Sequence, residues 1–144
     1  GHVIQTVKVQ QIFSQVTTTG TSYVDSNMAL AITPKFASST ILFLARAWTS
    51  INASTSGLDM QVTRTISGGS ATNFEGGHIA IAEYTQTNGP SYREETKQIM
   101  CFDEPNTTTA TTYTITFKSN ASGTTARVGV SNRTGTIIIQ EIAQ

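Results

Sequence analysis

Residues 112–119 read TYTITFKS, and their alternation decides the fold class. Tyr113, Ile115 and Phe117 fall on one side of an extended chain while Thr112, Thr114, Thr116 and Lys118 fall on the other, because successive side chains of a strand point to opposite faces. One side is a core face and the other is wet. The same period of two runs through GLDMQVTRTIS (57–67), where Leu58, Met60, Val62 and Ile66 share a face with Arg64, a cation out of pattern. ARVGV (126–130), between NASGTT and SNRTG, reads as another short strand.

Three segments carry apolar groups on both faces: HVIQTVKVQQIF (2–13), TILFLARAWTS (40–50) and TIIIQEIA (136–143). Such strands are expected where each side is covered. MALAIT (28–33), HIAIAEYT (78–85) and KQIMCF (97–102) are weaker strands, and TTTGTS, ITPKFASS, SGGS, EGG, TNGPS and DEPNTTT supply turn chemistry between them. No apolar repeat of helical period runs beyond two turns. The 26 threonines among 144 residues favour strands over helices. The expected fold is therefore all-β: an antiparallel, jelly-roll-like β-sandwich of eight or nine strands, with residues 1–144 as a single domain.

Composition narrows the function. Nine basic residues balance nine acidic ones, and the basic residues are scattered, so no phosphate-tracking face is expected and nucleic acid is excluded as a partner. No apolar run approaches the roughly 20 residues of a membrane-spanning helix, and the start lacks signal-peptide layout; a soluble domain without membrane insertion is expected. The chain begins without methionine, which suggests a piece of something longer. The single cysteine, Cys101, allows no internal disulfide and sits in the apolar run IMCF, where a thiolate is disfavoured.

Catalytic constellations are missing. His2 and His78 are the only histidines, no G-x-S-x-G elbow is present, and the neighbouring pairs Glu94–Glu95 and Asp103–Glu104 point to opposite sides of an extended chain. No catalytic residue, cofactor or metal site is therefore assigned, although a loop calcium at Asp103 and Glu104 stays open. The longest irregular stretch, EYTQTNGPSYRE (83–94), presents Tyr84, Tyr92 and Arg93 and is the expected receptor contact. Four N-x-S/T triplets, at Asn52, Asn106, Asn120 and Asn132, read as polar turns.

GHVIQTV at the front, SYVDSNMALAITPKFASSTILFLARAW, CFDEPNTTTATTYTITFKS and the closing GTIIIQEI together resemble a β-rich C-terminal module of tailed-phage tail-fibre or virion appendage proteins, especially marine ones. Such modules run from a G-x-V-L-Q start through I-T-P-x-S-x-S-S-K-I-L and D-x-P-N-T-T-S-A-T-T-Y to a terminal I-x-x-x-E-I. The resemblance implies a non-enzymatic virion adhesin or fibre-tip domain on an extracellular appendage, with a host cell-surface glycan or protein as partner. It also implies that Asp103 and Asn106 brace the 103–112 loop through side-chain to backbone bonds, with Pro105 fixing its direction. A carbohydrate-binding or lectin-like module of a secreted bacterial protein is the alternative. Two-faced apolar strands (Ile4, Ile12, Ile138, Ile142) argue for an oligomer; the threefold symmetry of phage fibres makes it a homotrimer.

Overall fold

The computed structural model describes residues 1–52, 57–79, 93–129 and 132–144, and for 75–79 and 93 the backbone alone. Ten strands follow one another: β1 (His2–Ile12), β2 (Val16–Thr18), β3 (Val24–Ile32), β4 (Thr40–Asn52), β5 (Leu58–Ile66), β6 (Thr72–Ile79), β7 (Arg93–Asp103), β8 (Thr111–Ser119), β9 (Thr125–Val128) and β10 (Thr134–Ala143). β4 pairs along its length with β7 on one side, and with β10 and then β9 on the other; β10 and β9 pair in turn with β1 and β2. β1 with β2, and β9 with β10, therefore each occupy one lane. The first sheet has the lane order β1/β2, β9/β10, β4, β7, and the second has β3, β8, β5, β6. Numbered as eight lanes these orders are 1-8-3-6 and 2-7-4-5, the jelly-roll arrangement in which every hairpin partner but one lies across the sandwich.

The alternation read from TYTITFKS holds throughout. Tyr113, Ile115 and Phe117 are fully buried, and Phe43, Ile41, Ile137, Ile139 and Ile99 face them from the first sheet. Each such side chain withdrawn from water contributes about 1.5–3 kcal/mol, so these two inner faces supply most of the driving force for folding. Some expectations change. EGG (75–77) lies within β6, where the register passes from Thr63↔Asn73 to Gln61↔His78, so the glycines are absorbed as a bulge rather than a turn. β1 is apolar on its exposed side only near its ends, at Val3 and Ile12: Thr6, Lys8 and Gln10 make the middle of that side polar, while Val7 and Val9 pack on the core.

The sandwich has two unlike ends. At one end lie the connections 33–39, 67–71 and 104–110, all described, with the Ser67 N–H donating to Ala110 O (2.9 Å). The other end carries 19–23 and 120–124, joined by the Gly123 N–H donating to Thr19 O (3.1 Å). Between β9 and β10, Gly129 adopts φ +76° and donates its N–H to Trp48 O (2.9 Å); a Cβ there would stand 2.9 Å from Ser14 O. Gly129→Ala should therefore lower unfolding free energy by about 1–3 kcal/mol in urea titrations, since it combines left-handed strain with a backbone clash.

Candidate functional site

Among the described residues charged side chains occupy core-facing positions in two places, the Arg64–Asp103 pair and Glu141, and both are spent on holding one end of the sandwich together. Arg64 of β5 points between the sheets, as its parity with Leu58, Met60 and Val62 requires. Its Nη1 donates to both carboxylate oxygens of Asp103 from the opposite sheet (2.7 and 2.9 Å), and the hydroxyl of Tyr113, the cross-strand neighbour of Arg64, donates to Asp103 Oδ2 (2.7 Å). Tyr113 is wedged between Phe43 and Phe74, the latter edge-on at 5.9 Å, and the Arg64 guanidinium lies 5.8 Å from the Phe74 ring centre. Asp103 and Tyr113 are the first and last residues of the DEPNTTTATTY motif. That motif is a loop closed on itself by a buried carboxylate. Asp103 thus bonds side chains rather than the turn backbone, whereas Asn106 does brace the turn, its amide donating to Glu104 O (2.8 Å) from a left-handed backbone (φ +53°).

The second charge is Glu141 on β10, fully buried in phase with Ile137 and Ile139. Its Oε1 accepts from the backbone N–H of Lys35 (2.7 Å) and of Phe36 (3.1 Å) and from the Ser39 hydroxyl (2.8 Å). With its amide nitrogen assigned toward its acceptors, Gln5 donates to Glu141 Oε2 (3.0 Å) and to Thr33 O (3.2 Å). Four donors facing one buried carboxylate are what an acceptor-only group needs. The GHVIQ, ITPKFASS and IIIQEI motifs therefore meet at a single side chain. Sequence reasoning assigned nothing to Gln5 or Glu141, yet the signal was the one that marked Arg64: a polar residue on the core parity of a strand.

Of the residues weighed for binding, Tyr84 and Tyr92 lie outside the described residues, and Arg93 is described only as the backbone that opens β7 opposite Ile51. His78 stands in β6 opposite Gln61, its side chain likewise undescribed. Among the described residues no group of three or more His, Cys, Asp or Glu could hold a metal ion. Cys101 is buried, and desolvation, aided by the Asp103 charge, pushes its thiol up to about 12. Burial first, and then the hydrogen bond to Asp103, raise the Tyr113 phenol far above its ordinary value.

The two outer faces are unlike as well. On the second sheet, Thr112, Thr114, Thr116 and Lys118 stand beside Asp59, Gln61, Thr63 and Thr65. On the first sheet the register places Ile138, Leu44 and Met100 in one cross-strand row, and Leu42 beside Phe102 in the next. Met100 is 63% exposed and Phe102 51%. An open depression of about 480 Å³ lies over this face, bordered by Arg46, Gln98 and Thr136. Trp48, farther along β4, is capped by Arg133 at 4.5 Å from its ring, and Arg133 pairs with Glu94 (3.4 Å).

No family model matches this sequence, and no curated protein matches it. Among solved structures, the T=1 particle protein of infectious bursal virus is 12% identical over 97% of this chain and 36% of its own, with a TM-score of 0.45. The VP2 subviral particle of infectious bursal disease virus is 11% identical over 97% and 38%, with a TM-score of 0.40. The carbohydrate-binding module CBM6cm-2 of Cellvibrio mixtus lichenase 5A, solved with cellotriose, is 18% identical over 99% and 98%, at 0.28. This chain thus spans little more than a third of the viral chains it aligns with. At such scores the jelly-roll assignment rests on the strand order itself.

The raised thiol and phenol have a consequence for stability. Because the folded state holds both groups neutral, their contribution is fully present below the unfolded values, near 9.0 for Cys101 and 10.0 for Tyr113, and is lost as pH rises toward the folded ones. From pH 9 upward, urea unfolding should show stability falling by about 1.4 kcal/mol per pH unit through Cys101, steepening above pH 10 as Tyr113 joins. Cys101→Ala should delay the onset to about pH 10.

Proposed function

We propose that this chain is a non-enzymatic structural and adhesin module of a virion appendage, and that it assembles as a homotrimer through the outer face of the β10–β4–β7 lanes. The observation that carries the reading is the inequality of the two outer faces: one is covered in threonine, and the other presents Leu42, Leu44, Met100, Ile138 and Ile142 to water or half to water. Uncovered apolar surface of a few hundred Å² rimmed by polar groups is the mark of an interaction surface. The rim is present: Thr6, Lys8 and Gln10 on one side, and Arg46, Gln98 and Thr136 on the other.

A second copy of the same chain suits this face. Zero net charge removes the self-repulsion that opposes association, and burial returns about 25 cal/mol per Å² of apolar area. Closed rotational symmetry keeps such a patch from propagating into fibres. The number three comes from the resemblance of the four motifs to phage fibre modules, as does the virion location. The absence of enzymatic activity is inferred from the use of the core-facing charged groups: Arg64, Asp103 and Glu141 are consumed by bracing, and the Cys101 thiol is held neutral.

Light scattering at micromolar concentration should return three times the 15.4 kDa protomer mass, and Leu44→Asp should give a folded monomer by circular dichroism. A wild-type monomer would refute the interface, and a dimer would refute the threefold symmetry.

A further inference from the structure

The braced end also carries an open cleft beside the braces. Thr40, Arg64, Phe74, Phe102, Glu104 and Asn106 line it together with Asp103, and its volume is about 580 Å³. That lies within the range of about 300–1,000 Å³ common to small-molecule sites. It stands at the opposite end of β7 from Arg93, about 33 Å away along an 11-residue strand.

Three properties of the lining specify a ligand. The first is an aromatic surface in water: Phe102 is 51% exposed, where a flat side chain offers apolar area to the C–H face of a sugar ring. The second is a mixture of donors and acceptors around that ring. The Glu104 carboxylate accepts, as does the Asn106 side-chain oxygen, whose amide nitrogen is already turned to Glu104 O. The Thr40 hydroxyl, which accepts from the Gln144 amide, keeps its own proton to donate. Arg64 Nε is a buried N–H without a hydrogen-bond partner among the described residues and is screened from the cleft, so the guanidinium offers a ligand only its terminal nitrogens. Vicinal hydroxyls both give and receive hydrogen bonds, so they match this set where a purely accepting or purely donating ligand does not.

Charge is the third property. The lining carries one cation and two carboxylates, and the cation is bonded to Asp103 through Nη1 at both oxygens, which leaves Glu104 without a counter-ion among the described residues. Phosphate, sulfate or carboxylate ligands would meet a net negative wall. The walls are also set in advance. Asn106 is held by its own bond, Thr107 Oγ1 accepts from the Thr109 N–H (3.0 Å), and the 67–71 connection is tied to Ala110, so binding need order little backbone.

We propose that this cleft binds a neutral pyranose unit of a saccharide, its ring face on Phe102 and its hydroxyls shared among Glu104, Asn106 and Arg64. The site goes beyond the assembly reading and does not rest on it; because Phe102 stands beside Leu42 at the border of the outer face, the titration is run on the Leu44→Asp monomer as well as on the wild type. The test is amide chemical-shift titration of the whole isotope-labelled chain with methyl β-glucopyranoside, methyl β-galactopyranoside and N-acetylglucosamine at millimolar concentration. At least one should move the amides of residues 64, 74 and 102–106 in a saturable way. Glu104→Gln and Asn106→Gly should each weaken that binding about tenfold, the worth of a hydrogen bond to a charged or well-placed group, and glycine preserves the left-handed backbone of Asn106. Both variants stand off the apolar outer face, so their light-scattering mass should equal that of the wild type, and failure of sugar binding is read separately from failure of assembly. Phe102→Ala should abolish the shifts while retaining cooperative unfolding. No saturable shift with any of the three sugars, shifts that survive both polar variants, or tighter binding of N-acetylneuraminic acid or choline than of the neutral sugars would overturn the proposal.

Discussion

The fold depends at one point on a carboxylate with no counter-ion among the described residues. Glu141 is fully buried and is satisfied by four donors drawn from two other segments, the front of β1 and the connection into β4. A connection of seven residues that must place Pro34 inside and Phe36 outside has backbone N–H groups that no strand can receive. An unmade hydrogen bond of that kind costs about 1–3 kcal/mol each, and one side chain on the last strand receives three donors at once. The Arg64–Asp103–Tyr113 cluster does the same for the connection between β7 and β8. A buried ion pair is weak evidence for net stability, but it fixes which partners meet across the sandwich, and here it joins the two sheets at their edge.

Strand period, sheet number and core were legible in the sequence because burial on one face writes itself as alternation. Tyr113, Ile115, Phe117, Leu58, Met60 and Val62 were placed inward by parity alone, and all are buried. Lane order was not legible, since any antiparallel pairing of such strands preserves the pattern. The glycines of EGG misled because a bulge and a turn ask for the same residue. β1 misled because Thr6, Lys8 and Gln10 make the middle of its outer side polar, while the register shift between Val3 and Gln5 leaves Val3 exposed.

For the site, the useful signal was disagreement rather than agreement with the pattern. Arg64 was seen as out of phase, and its partner lay 39 positions away in sequence, beyond any local rule. Glu141 carried the same mark and drew no reading, because its neighbours made the strand look complete without it. The threonine-rich stretch that gives the chain its character does two things. Thr112, Thr114 and Thr116 cover the wet face of the second sheet, and the residues flanking the row, Asp103 and Tyr113, close the loop. The features that make the sequence distinctive are thus braces of one end, and among the described residues the apolar outer face and the cleft between the braced loops are left open.

The central claim is that the motif residues act as structural braces, and equilibrium urea unfolding of Glu141→Ala tests it most directly. Removing the carboxylate leaves the N–H groups of Lys35 and Phe36 and the buried Ser39 hydroxyl without their acceptor. The account predicts a loss of about 3–5 kcal/mol with early proteolytic cleavage within 33–39. A loss below about 1 kcal/mol, with that connection still protected, would contradict it.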